Sequence, residues 1–492
     1  RTAKLELRSG DIVLGEIVER ELIPPSRTSS VEAFRLQVKR GNRDLSGSDF
    51  VWLDEAEIER ISYPEEAVVI ERRQWGNFYG FPARLLWRND VVAGAGDGSW
   101  RKLEKLLAEE QNIVRQIREI ERNEAAALGY KQEKLRIEIK ELEKRGAQSA
   151  RLASARLRGK ALQREYIELE QRLQAKRQLL SGVLEMRAAG DQLKRIELAE
   201  IVRIYQPNAM SWLERLLLCG QRIIEFVFDD PRESNTEGGV FPAIFGTVMM
   251  VLMMSITVTP LGVLAAIYLR EYAKQGRFVS LVRIAVNNLA GVPSIVFGVF
   301  GLGFFVYTLG GSIDELFFEK YLPNPTFGTG GILWASLTLA LLTLPTVIVA
   351  TEEGLAAIPR SLREASYALG ATKLETTWRI VIPSLVPSIL TGMILAVARA
   401  AGEVAPLMIT GVVKLAPSLP IDANWPFFHF DRKFMHLGFH IYDVGFQSPN
   451  VDAARPMVFA TTVLLLLIVL LLNLSAIIFR ARLRKVGLSG AL

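Results

Sequence analysis

Five long apolar runs constrain the fold of this 492-residue chain more than any other feature. Each keeps about 20 residues predominantly apolar, the length that a helix needs to cross the hydrocarbon core of a bilayer. Soluble cores seldom contain runs of this kind, and five in series predict a polytopic α-helical membrane protein. The predicted spans are residues 243–269, 284–309, 330–351, 386–412 and 456–479.

The composition divides the chain near Gly238 into a charged first half and an apolar second half. Half of all residues are hydrophobic, yet 23% are charged, which one uniform domain would not combine. The net charge of +6 is spread along helical faces and membrane flanks, so it predicts no nucleic-acid partner. The single cysteine, Cys219, excludes an internal disulfide framework.

Basic residues in the short loops predict the orientation of the spans, because such loops stay in the cytoplasm. Four of them follow the first span: Arg270, Lys274, Arg277 and Arg283. The loop of residues 352–383 contains Arg360, Arg363, Lys373 and Arg379, and the last span is followed by Arg480, Arg482, Arg484 and Lys485. Strict alternation then places residues 1–240 outside and the C-terminus in the cytoplasm. A further span before Arg1, which would deliver the outer domain, is expected.

The outer half predicts two long helices folded back as an antiparallel coiled-coil hairpin. Apolar residues recur at heptad spacing, with the exception of Glu110 in the first run. The runs are Leu103, Leu106, Ile113, Ile117, Ile120; Leu135, Ile139, Leu142; and Leu162, Tyr166, Leu169, Leu173, Leu180. The Ala- and Ser-rich residues 146–159 are the predicted bend. The charged positions between these runs are interpreted as a solvated face.

Short β-like segments surround the hairpin, which is therefore predicted to be inserted into a small β-rich domain. The segments are residues 11–18, 34–38, 67–70 and 196–205. The amphipathic helix predicted at Trp212–Phe228 suits a membrane surface, although a packed connector would show the same pattern. The predicted regions are a β-rich periplasmic domain at 1–100, the hairpin at 101–195, a returning strand and interfacial helix at 196–240, the transmembrane domain at 241–485 and a cytoplasmic tail at 486–492.

A polar helix–turn–helix separates the third and fourth spans. Ser361 and Thr372 each begin a capping-box pattern, and Gly370 stands where a helix ends in a left-handed residue. Pro383 is predicted to mark the boundary with the next span. The small residues Ala365, Ser366 and Ala368 of this loop would let the backbone of another protein approach closely.

The fourth predicted span contains the charged residues Arg399 and Glu403 in ARAAGEVAPLM. An ionisable group at mid-membrane costs about 2.5–3.5 kcal/mol on insertion scales, so both should face water or the protein interior. Four residues apart on a helix, they would share a face and pair. The guanidinium fork suits a tetrahedral oxyanion such as phosphate. A purely structural ion pair would need the same geometry.

The helix–turn–helix resembles the EAA loop of the type-1 permeases of ATP-binding-cassette (ABC) importers. The resemblance rests on Glu364-Ala365-Ser366, Gly370 and Ile380-x-Ile382-Pro383. In that family the loop docks in a groove of a separate ATPase subunit. The resemblance implies that Glu364, Ala365, Ser366, Gly370, Ile380 and Pro383 form the ATPase-coupling loop, and that the membrane half has the type-1 permease fold.

Three further motifs are similar to the PstA-type permeases of the phosphate-specific transport (Pst) system. They are NLAGVPSIVFGVFG from Asn288, Arg-x-x-Gly-Glu-x-Ala-Pro from Arg399, and residues 438–456. The resemblance implies a bacterial inner-membrane subunit of an ATP-driven phosphate importer. Its partners would be a PstC-like second permease, a PstB-like ATPase dimer and a PstS-like periplasmic phosphate-binding protein. It also implies that Arg399, Glu403, Asn287 and Asn288 lie on the phosphate path.

No catalytic or cofactor site is predicted. The chain has no G-x-x-x-x-G-K-[ST] phosphate cradle, so ATP hydrolysis is assigned to a partner, and no cofactor or metal is expected. His436 and His440 have metal-ligand spacing, but with His429 they are better interpreted as a surface for the binding protein. Two alternatives stay open, a permease for molybdate or sulfate and a membrane-anchored coiled-coil scaffold or sensor.

Overall fold

The computed structural model describes residues 1–23, 33–88, 90–94, 97–144, 149–422, 425–448 and 450–489. These residues form two compact units. Unit 1 contains residues 1–226 and 231–238, and unit 2 contains residues 227–230 and 239–492.

Unit 1 holds two antiparallel sheets whose strands follow the alternation of apolar and polar residues. One sheet has the order β4-β3-β2-β1-β5, and the other has the order β10-β9-β7-β6-β11 with β8 paired to β7. A short ribbon joins β12 to β13. The strands are β1 (Ala3–Leu7), β2 (Ile12–Leu22), β3 (Phe34–Lys39), β4 (Phe50–Asp54), β5 (Ile58–Ser62), β6 (Val68–Arg72), β7 (Phe78–Trp87), β8 (Asp90–Gly94), β9 (Gly182–Arg187), β10 (Leu193–Glu197), β11 (Ile201–Tyr205), β12 (Pro231–Arg232) and β13 (Glu237–Gly238).

Buried charge accompanies the apolar core of unit 1. Arg72 on β6 is 2% exposed and donates two hydrogen bonds, of 3.0 and 3.1 Å, to the carboxylate of Asp44. The same guanidinium donates to the carbonyls of Gly76 and Trp75, and Lys194 lies 2.9 Å from the Asp44 carboxylate. Since a buried ion pair is favourable only when its remaining donors find acceptors, this saturation explains how Arg72 can be buried.

The helices of unit 1 are a short α1 (Arg43–Ser46), the hairpin helices α2 (Asp97–Glu119), α3 (Ala126–Lys144) and α4 (Ser149–Gln178), and α5 (Trp212–Phe228), whose last two residues fall in unit 2. A π-helical turn, Ile120–Ala125, joins α2 to α3. The hairpin leaves the second sheet after β8 and returns to it at β9, and both strands pair with β7.

The two arms of the hairpin run antiparallel. Ion pairs link them along their length, with residue numbers falling on one arm as they rise on the other: Glu143–Arg156, Glu138–Arg158, Glu124–Arg172 and Glu121–Arg177. Ile120, Leu128 and Leu169 form an apolar cluster between the arms. Part of the predicted bend, residues 146–148, lies outside the described residues, and the rest of it, from Ser149, is helical.

Within its described residues, unit 2 is helical and contains five helices that are long and apolar enough to cross a membrane: Phe241–Tyr272, Ser294–Phe317, Ile332–Ala357, Lys373–Gly402 and Val451–Ile478. The α-helices of unit 2, inside and outside these five, are α6 (Phe241–Ile267), α7 (Arg277–Leu289), α8 (Ser294–Phe300), α9 (Gly311–Phe317), α10 (Ile332–Ala357), α11 (Arg360–Ala368), α12 (Lys373–Thr376), α13 (Ile382–Gly402), α14 (Ala405–Thr410), α15 (Leu437–Phe446) and α16 (Val451–Ser489). With the sheets of unit 1, the five membrane-length helices confirm the predicted fold class, a mainly α-helical polytopic protein that also carries a β-rich part.

Small residues let the central spans approach closely. A Cβ on Gly262 of α6 would lie 2.6 Å from the Val347 side chain of α10. A Cβ on Gly392 of α13 would lie 2.9 Å from the Cβ of Ala350. Such close contacts are typical of helix packing in membranes, where van der Waals contact replaces the hydrophobic drive.

Three predicted helix boundaries are wrong, and a backbone feature explains each. The second span does not begin at residue 284, because a turn before Pro293 separates α7 from α8. The fourth span ends at Gly402 instead of Val412, since Glu403 is extended. Pro383 marks no boundary: α12, a π-helical segment at Thr377–Val381 and α13 are continuous, with Pro383 in the first turn of α13.

The predicted strand at residues 196–205 is two strands, β10 and β11, with the 3-10 turn Leu198–Glu200 between them. The five-region division of the chain stays a prediction.

Candidate functional site

The helix of the fourth span breaks at Glu403, one of the two charged residues in its sequence. Its helix ends at Gly402, and Glu403 has φ −75° and ψ 136°, outside the helical region. A new helix, α14, begins at Ala405 with Pro406 in its first turn, where the missing N–H of proline costs nothing. The break therefore follows from local sequence, and Glu403 lies past the end of the helix that carries Arg399.

Arg399 and Glu403 nevertheless lie close together. The Arg399 Nε atom is 3.7 Å from Glu403 Oε1, which is ion-pair distance but longer than an N–H···O hydrogen bond. Their side chains are 34% and 19% exposed, so neither is sealed in the core. A loosely held guanidinium with five fixed donors can bind an anion without first breaking a strong internal pair.

Two of the motifs that carried the resemblance, those that begin at Asn288 and at Arg399, pack against each other. Gly298 of α8 faces the break, and a Cβ built on it would lie 2.7 Å from the Cα of Pro406. One turn further along, a Cβ on Gly301 would lie 2.2 Å from the Thr338 hydroxyl oxygen and 3.1 Å from the Thr410 methyl. The glycines of the second span thus allow α8 to contact the α14 side of the break directly.

Asn287 and Asn288, the other two predicted pathway residues, are exposed at the end of α7. The carbonyl of Asn288 accepts a hydrogen bond from the N–H of Gly291 in the turn that precedes α8. Leu289, the next residue, packs against the apolar cluster that includes Ala396 and Ala400 of α13. The structure places the asparagines beside that cluster, but it shows no hydrogen bond from either side chain to the Arg399–Glu403 pair.

The loop predicted to couple to an ATPase, here called the coupling loop, is a short helix followed by a left-handed turn. Gly370 has φ +83°, a conformation that a side chain resists. The capping box at Thr372 is present, since its hydroxyl accepts from the Glu375 N–H and the Glu375 carboxylate accepts from the Thr372 N–H. The capping box predicted at Ser361 is wrong, because α11 already begins at Arg360 after Pro359.

Ser366 holds the two parts of the loop together instead of facing a partner. It is buried, and its hydroxyl lies 2.8 Å from the Thr376 hydroxyl. The apolar side chains of Leu369, Leu374 and Trp378 are by contrast between 68% and 89% exposed. Glu364, Ala365 and Pro383 are exposed as well, whereas Ile380 is half-buried. An exposed apolar tip on a rigid turn is the kind of surface that docks into a groove.

Arg363 anchors this loop, a role that the sequence pattern did not reveal. Its guanidinium lies 2.9 Å from the Glu271 carboxylate, at the end of the first span, and donates to the carbonyls of Leu355 and Ile358 at the end of the third. In the sequence, Arg363 appears only as one of several basic residues marking the cytoplasmic side. An acidic residue directly after a span, opposite such a basic loop, is the only signal that could have identified the pair.

The histidines do not form a contact surface, so that interpretation is wrong for this chain's fold. His436 and His440 are 0% and 2% exposed, and burial lowers the pKa of each to about 4, which keeps both neutral. His436 instead accepts from the Phe439 N–H as the N-cap of α15. His429 lies 3.0 Å from Asp422.

Asp443, which the sequence suggested to be an ordinary loop residue, is instead buried, and its carboxylate lies 3.1 Å from the Lys414 ammonium. Within the described ranges, no group of three or more His, Cys, Asp or Glu residues is placed to hold a metal ion.

Comparison with known proteins places this arrangement in a family. Residues 258–485 match the family described as binding-protein-dependent transport system inner membrane component. The matched segment contains the second span, the coupling loop and the Arg399–Glu403 pair.

Individual relatives agree with this family match. The chain is 34% identical over 243 residues to the phosphate transport system permease protein PstA 1 of Mycobacterium tuberculosis, covering 49% of this chain and 71% of the relative. It is 37% identical over 193 residues to the phosphate transport system permease protein PstA of Yersinia pestis, covering 39% and 59%. It is 32% identical over 216 residues to the ABC transporter permease protein YqgH of Bacillus subtilis, covering 43% and 65%.

Among solved structures, the inward-facing MetNI methionine ABC transporter is 20% identical, with a TM-score of 0.35 over 56% of this chain and 99% of that one. The family match, the relatives of 30–40% identity and the five membrane-crossing helices agree with one another. The chain therefore belongs to the binding-protein-dependent transport inner membrane components, as a multi-pass permease of the PstA type.

Proposed function

We propose that this chain forms half of the translocation pathway of an ATP-driven phosphate importer. The Arg399–Glu403 pair at the helix break is the observation that carries the proposal. It lies in one of the motifs shared with PstA-type permeases, which contacts a second such motif through Pro406 and Gly298, at a position where the backbone itself leaves the helix. The names of the PstA relatives supply the substrate class, and the guanidinium supplies a physical reason for it.

The pair has the chemistry that a transient phosphate site requires. Arg399 offers a planar fork of donors that matches two oxygens of a tetrahedral anion. Glu403 would neutralise that charge when no anion is present and repel the anion once it is bound, so the site can release its substrate. The ion-pair distance of 3.7 Å supports this role, because little would be lost when phosphate takes the place of the carboxylate.

The coupling loop supplies the connection to ATP hydrolysis, which we assign to a separate ATPase. Its exposed apolar tip at Leu369, Leu374 and Trp378 fits a groove on such a subunit, and Gly370 shapes the turn. Glu364, Ala365, Ser366, Ile380 and Pro383 belong to the same loop. Ser366 acts within it as an internal brace, because its hydroxyl bonds Thr376.

The remaining assignments follow from the relatives and from the basic loops. The partners are a PstC-like second permease, a PstB-like ATPase dimer and a PstS-like periplasmic phosphate-binding protein. The chain lies in the bacterial inner membrane, with residues 1–240 in the periplasm and the C-terminus in the cytoplasm. Protease added outside spheroplasts should trim the hairpin, and cleavage only from the cytoplasmic side would reverse this topology.

Charge-neutral substitution separates a pathway role from a structural one. An Arg399→Gln, Glu403→Gln double variant leaves no unpaired charge, so a purely structural pair should tolerate it. We expect this variant to assemble normally and to lose phosphate uptake. Arg399→Lys keeps the charge but loses the fork, and we expect uptake to fall about tenfold or more, because a hydrogen bond to a charged group is worth about 1.5–3 kcal/mol.

Arg455→Lys provides the matched control for Arg399→Lys. Arg455, like Arg399, pairs with an acidic residue nearby in the chain, here Asp452 at three residues, but at an exposed site. Uptake by this control variant should be that of the unmodified chain. Uptake near normal in the double variant would remove Arg399 and Glu403 from the pathway. Competition by molybdate or sulfate at equal concentration in the same assay would instead redirect the substrate assignment.

A further inference from the structure

Helix α5 is packed the opposite way round from a helix on the surface of a soluble protein. Its apolar side chains are bare, and those of the apolar face are between 60% and 76% exposed. We define the apolar face of α5 as Trp212, Leu216, Leu217, Ile223, Ile224 and Phe228. A helix on a water-facing surface places such residues against the core and turns its charges outward.

The charged side of α5 is the side that contacts the second sheet of unit 1, at β6 and β11. Arg222 donates hydrogen bonds to Glu71 of β6 and to the Tyr205 hydroxyl, the latter at 2.6 Å. Glu225 accepts a hydrogen bond from Arg203 of β11. Because Glu71 and Arg203 are themselves neighbours across the β6–β11 ladder, the helix is held by a connected network of four charges. Its rotation about its own axis is thereby fixed.

Both ends of α5 are also defined. At the start, Ser211 and Glu214 form a reciprocal cap, with the Ser211 N–H 2.8 Å from the Glu214 carboxylate. At the other end, the carbonyl of Asp229 accepts a hydrogen bond from the N–H of Phe241, the first residue of the first membrane-crossing helix. The carbonyl of Asp230 accepts from Gly239. The two residues that follow α5 are therefore hydrogen-bonded to the start of the first membrane-length helix.

We propose that α5 lies in the membrane surface, with its apolar face among the lipid acyl chains. A helix that is fixed in rotation, is followed by residues hydrogen-bonded to the start of a membrane-length helix, and exposes a row of large apolar residues matches the pattern of an interfacial helix. Trp212 at its start agrees with the preference of tryptophan for the interface. This placement decides between the two interpretations of the Trp212–Phe228 pattern, because a packed connector would bury the face that is exposed.

Fluorescence quenching tests the proposal on the assembled complex in lipid nanodiscs. The chain has one cysteine, Cys219, which is exposed on α5 and lies within one turn of Leu216 and Ile223. An NBD label on native Cys219 needs no substitution. In a Cys219→Ser background, Leu217→Cys and Ile224→Cys place the label on the apolar face. Leu157→Cys on the hairpin is the matched control, since Leu157 and Leu217 are 67% and 65% exposed.

The expected result is that labels at Cys219, Leu217→Cys and Ile224→Cys are quenched by lipids brominated on the acyl chain and shielded from iodide in the buffer. The Leu157→Cys label should behave in the opposite way. Iodide quenching at Leu217→Cys as strong as at Leu157→Cys would overturn the proposal, because the face would then be in water. Shielding from both quenchers would also overturn it, by showing that protein covers the face.

Discussion

The Cα atom of Pro406 lies 2.7 Å from the position that a Cβ on Gly298 would occupy. Real Cβ atoms do not approach backbone so closely, so residue 298 can only be glycine while α8 and α14 keep this packing. Gly298 belongs to the second-span motif, and Pro406 follows the Arg399–Glu403 break. The spacing between these helices therefore depends on one missing methyl group.

Gly298→Ala should lower stability by about 1–3 kcal/mol, the usual cost of inserting an atom into a packed interior. It should also reduce phosphate uptake, because α14 would have to move away from α8. Thermal unfolding in detergent and uptake in cells measure the two effects. Gly303→Ala in the same span is the control, since no atom lies within 4 Å of its Cβ position. Equal effects at both sites would contradict the packing explanation.

Gly370 gives a prediction about backbone conformation alone. Its Cβ position has no neighbour within 4 Å, so any defect of a substitution comes from φ +83° and not from a clash. Gly370→Val should disfavour the turn by about 1–2 kcal/mol or more, whereas Gly370→Asn should be milder, since asparagine adopts left-handed conformations more readily. Co-purification of the ATPase with the permease, and uptake, should fall in the order glycine, asparagine, valine.

Arg363 should be needed to hold the coupling loop against the ends of two spans. Arg363→Gln removes the ion pair with Glu271, which is 14% exposed, and weakens the bonds to the Leu355 and Ile358 carbonyls. Faster hydrogen exchange in α11 and loss of ATP-coupled uptake are expected, with insertion into the membrane unaffected. Arg379→Gln in the same loop, an exposed position, is the control. Unchanged exchange in α11 would show that the loop does not depend on this anchor.

Glu110 predicts a pH dependence in unit 1. Burial raises the pKa of its carboxyl group, against the lowering effect of the Gly182 and Ser181 N–H groups, which it binds at 2.6 and 3.0 Å. With a raised pKa, the folded state holds the proton more tightly than the unfolded state. The stabilisation is fullest below the unfolded value of about 4.3 and is lost as pH rises through the folded value.

Hydrogen exchange at residues 181–187 measures this effect. The Glu110→Gln variant has no group that titrates at this position. As pH rises from 4 to 7, the opening free energy of the unmodified chain should therefore fall relative to that of the variant. Glu109→Gln at the exposed neighbouring position should show no such trend. A pH-independent difference would mean that the Glu110 carboxyl has the same pKa in both states.

Replacing Arg72 should lower the free energy of unfolding far more than replacing an exposed arginine. Removing one partner of a buried ion pair costs about 3–5 kcal/mol, and Arg72→Met leaves the Asp44 carboxylate with Lys194 at 2.9 Å, which favours the lower end. Arg20→Met removes an exposed pair with Glu55, which water and salt screen, so it should change stability little. Exchange protection in β6 and β7 distinguishes them, and similar losses would refute the role of burial.

Periodicity in the sequence was sufficient to predict the elements, but not where helices break or which charges are buried. The apolar runs predict all five spans, since length and hydropathy alone decide membrane crossing. The turn before Pro293 was missed because apolar residues continue through it. Gly402 and Pro406 do indicate a loosened or bent helix, but the apolar run extends the predicted fourth span past the break at Glu403 to Val412. Glu110 breaks the heptad pattern in the sequence, yet the N–H groups that donate to its carboxylate, those of Ser181 and Gly182, are about seventy residues away along the chain and could not be foreseen.

The candidate site, too, could be predicted only in part from the sequence. The charges of Arg399 and Glu403 stand out in an apolar run, and their proximity follows from four-residue spacing. That Gly298 backs the break, or that Arg363 meets Glu271, depends on contacts between separate helices. No local pattern encodes such contacts, because each partner is compatible with many neighbours.

The continuous helix from Lys373 to Gly402 has a mechanical consequence. Its 30 residues carry the Thr372 cap and the exposed Leu374 and Trp378 at one end, and Arg399 at the other. At about 1.5 Å per residue it is about 45 Å long, and it is interrupted by the π-helical turn at Thr377–Val381 and by Pro387 inside α13, where proline leaves one helical hydrogen bond unmade. Movement at the Leu374 end can therefore reach the Arg399 end through one continuous helix. If the chain works as proposed, a docked ATPase would thus be linked by this one helix to the break at Glu403, beside the Arg399 guanidinium.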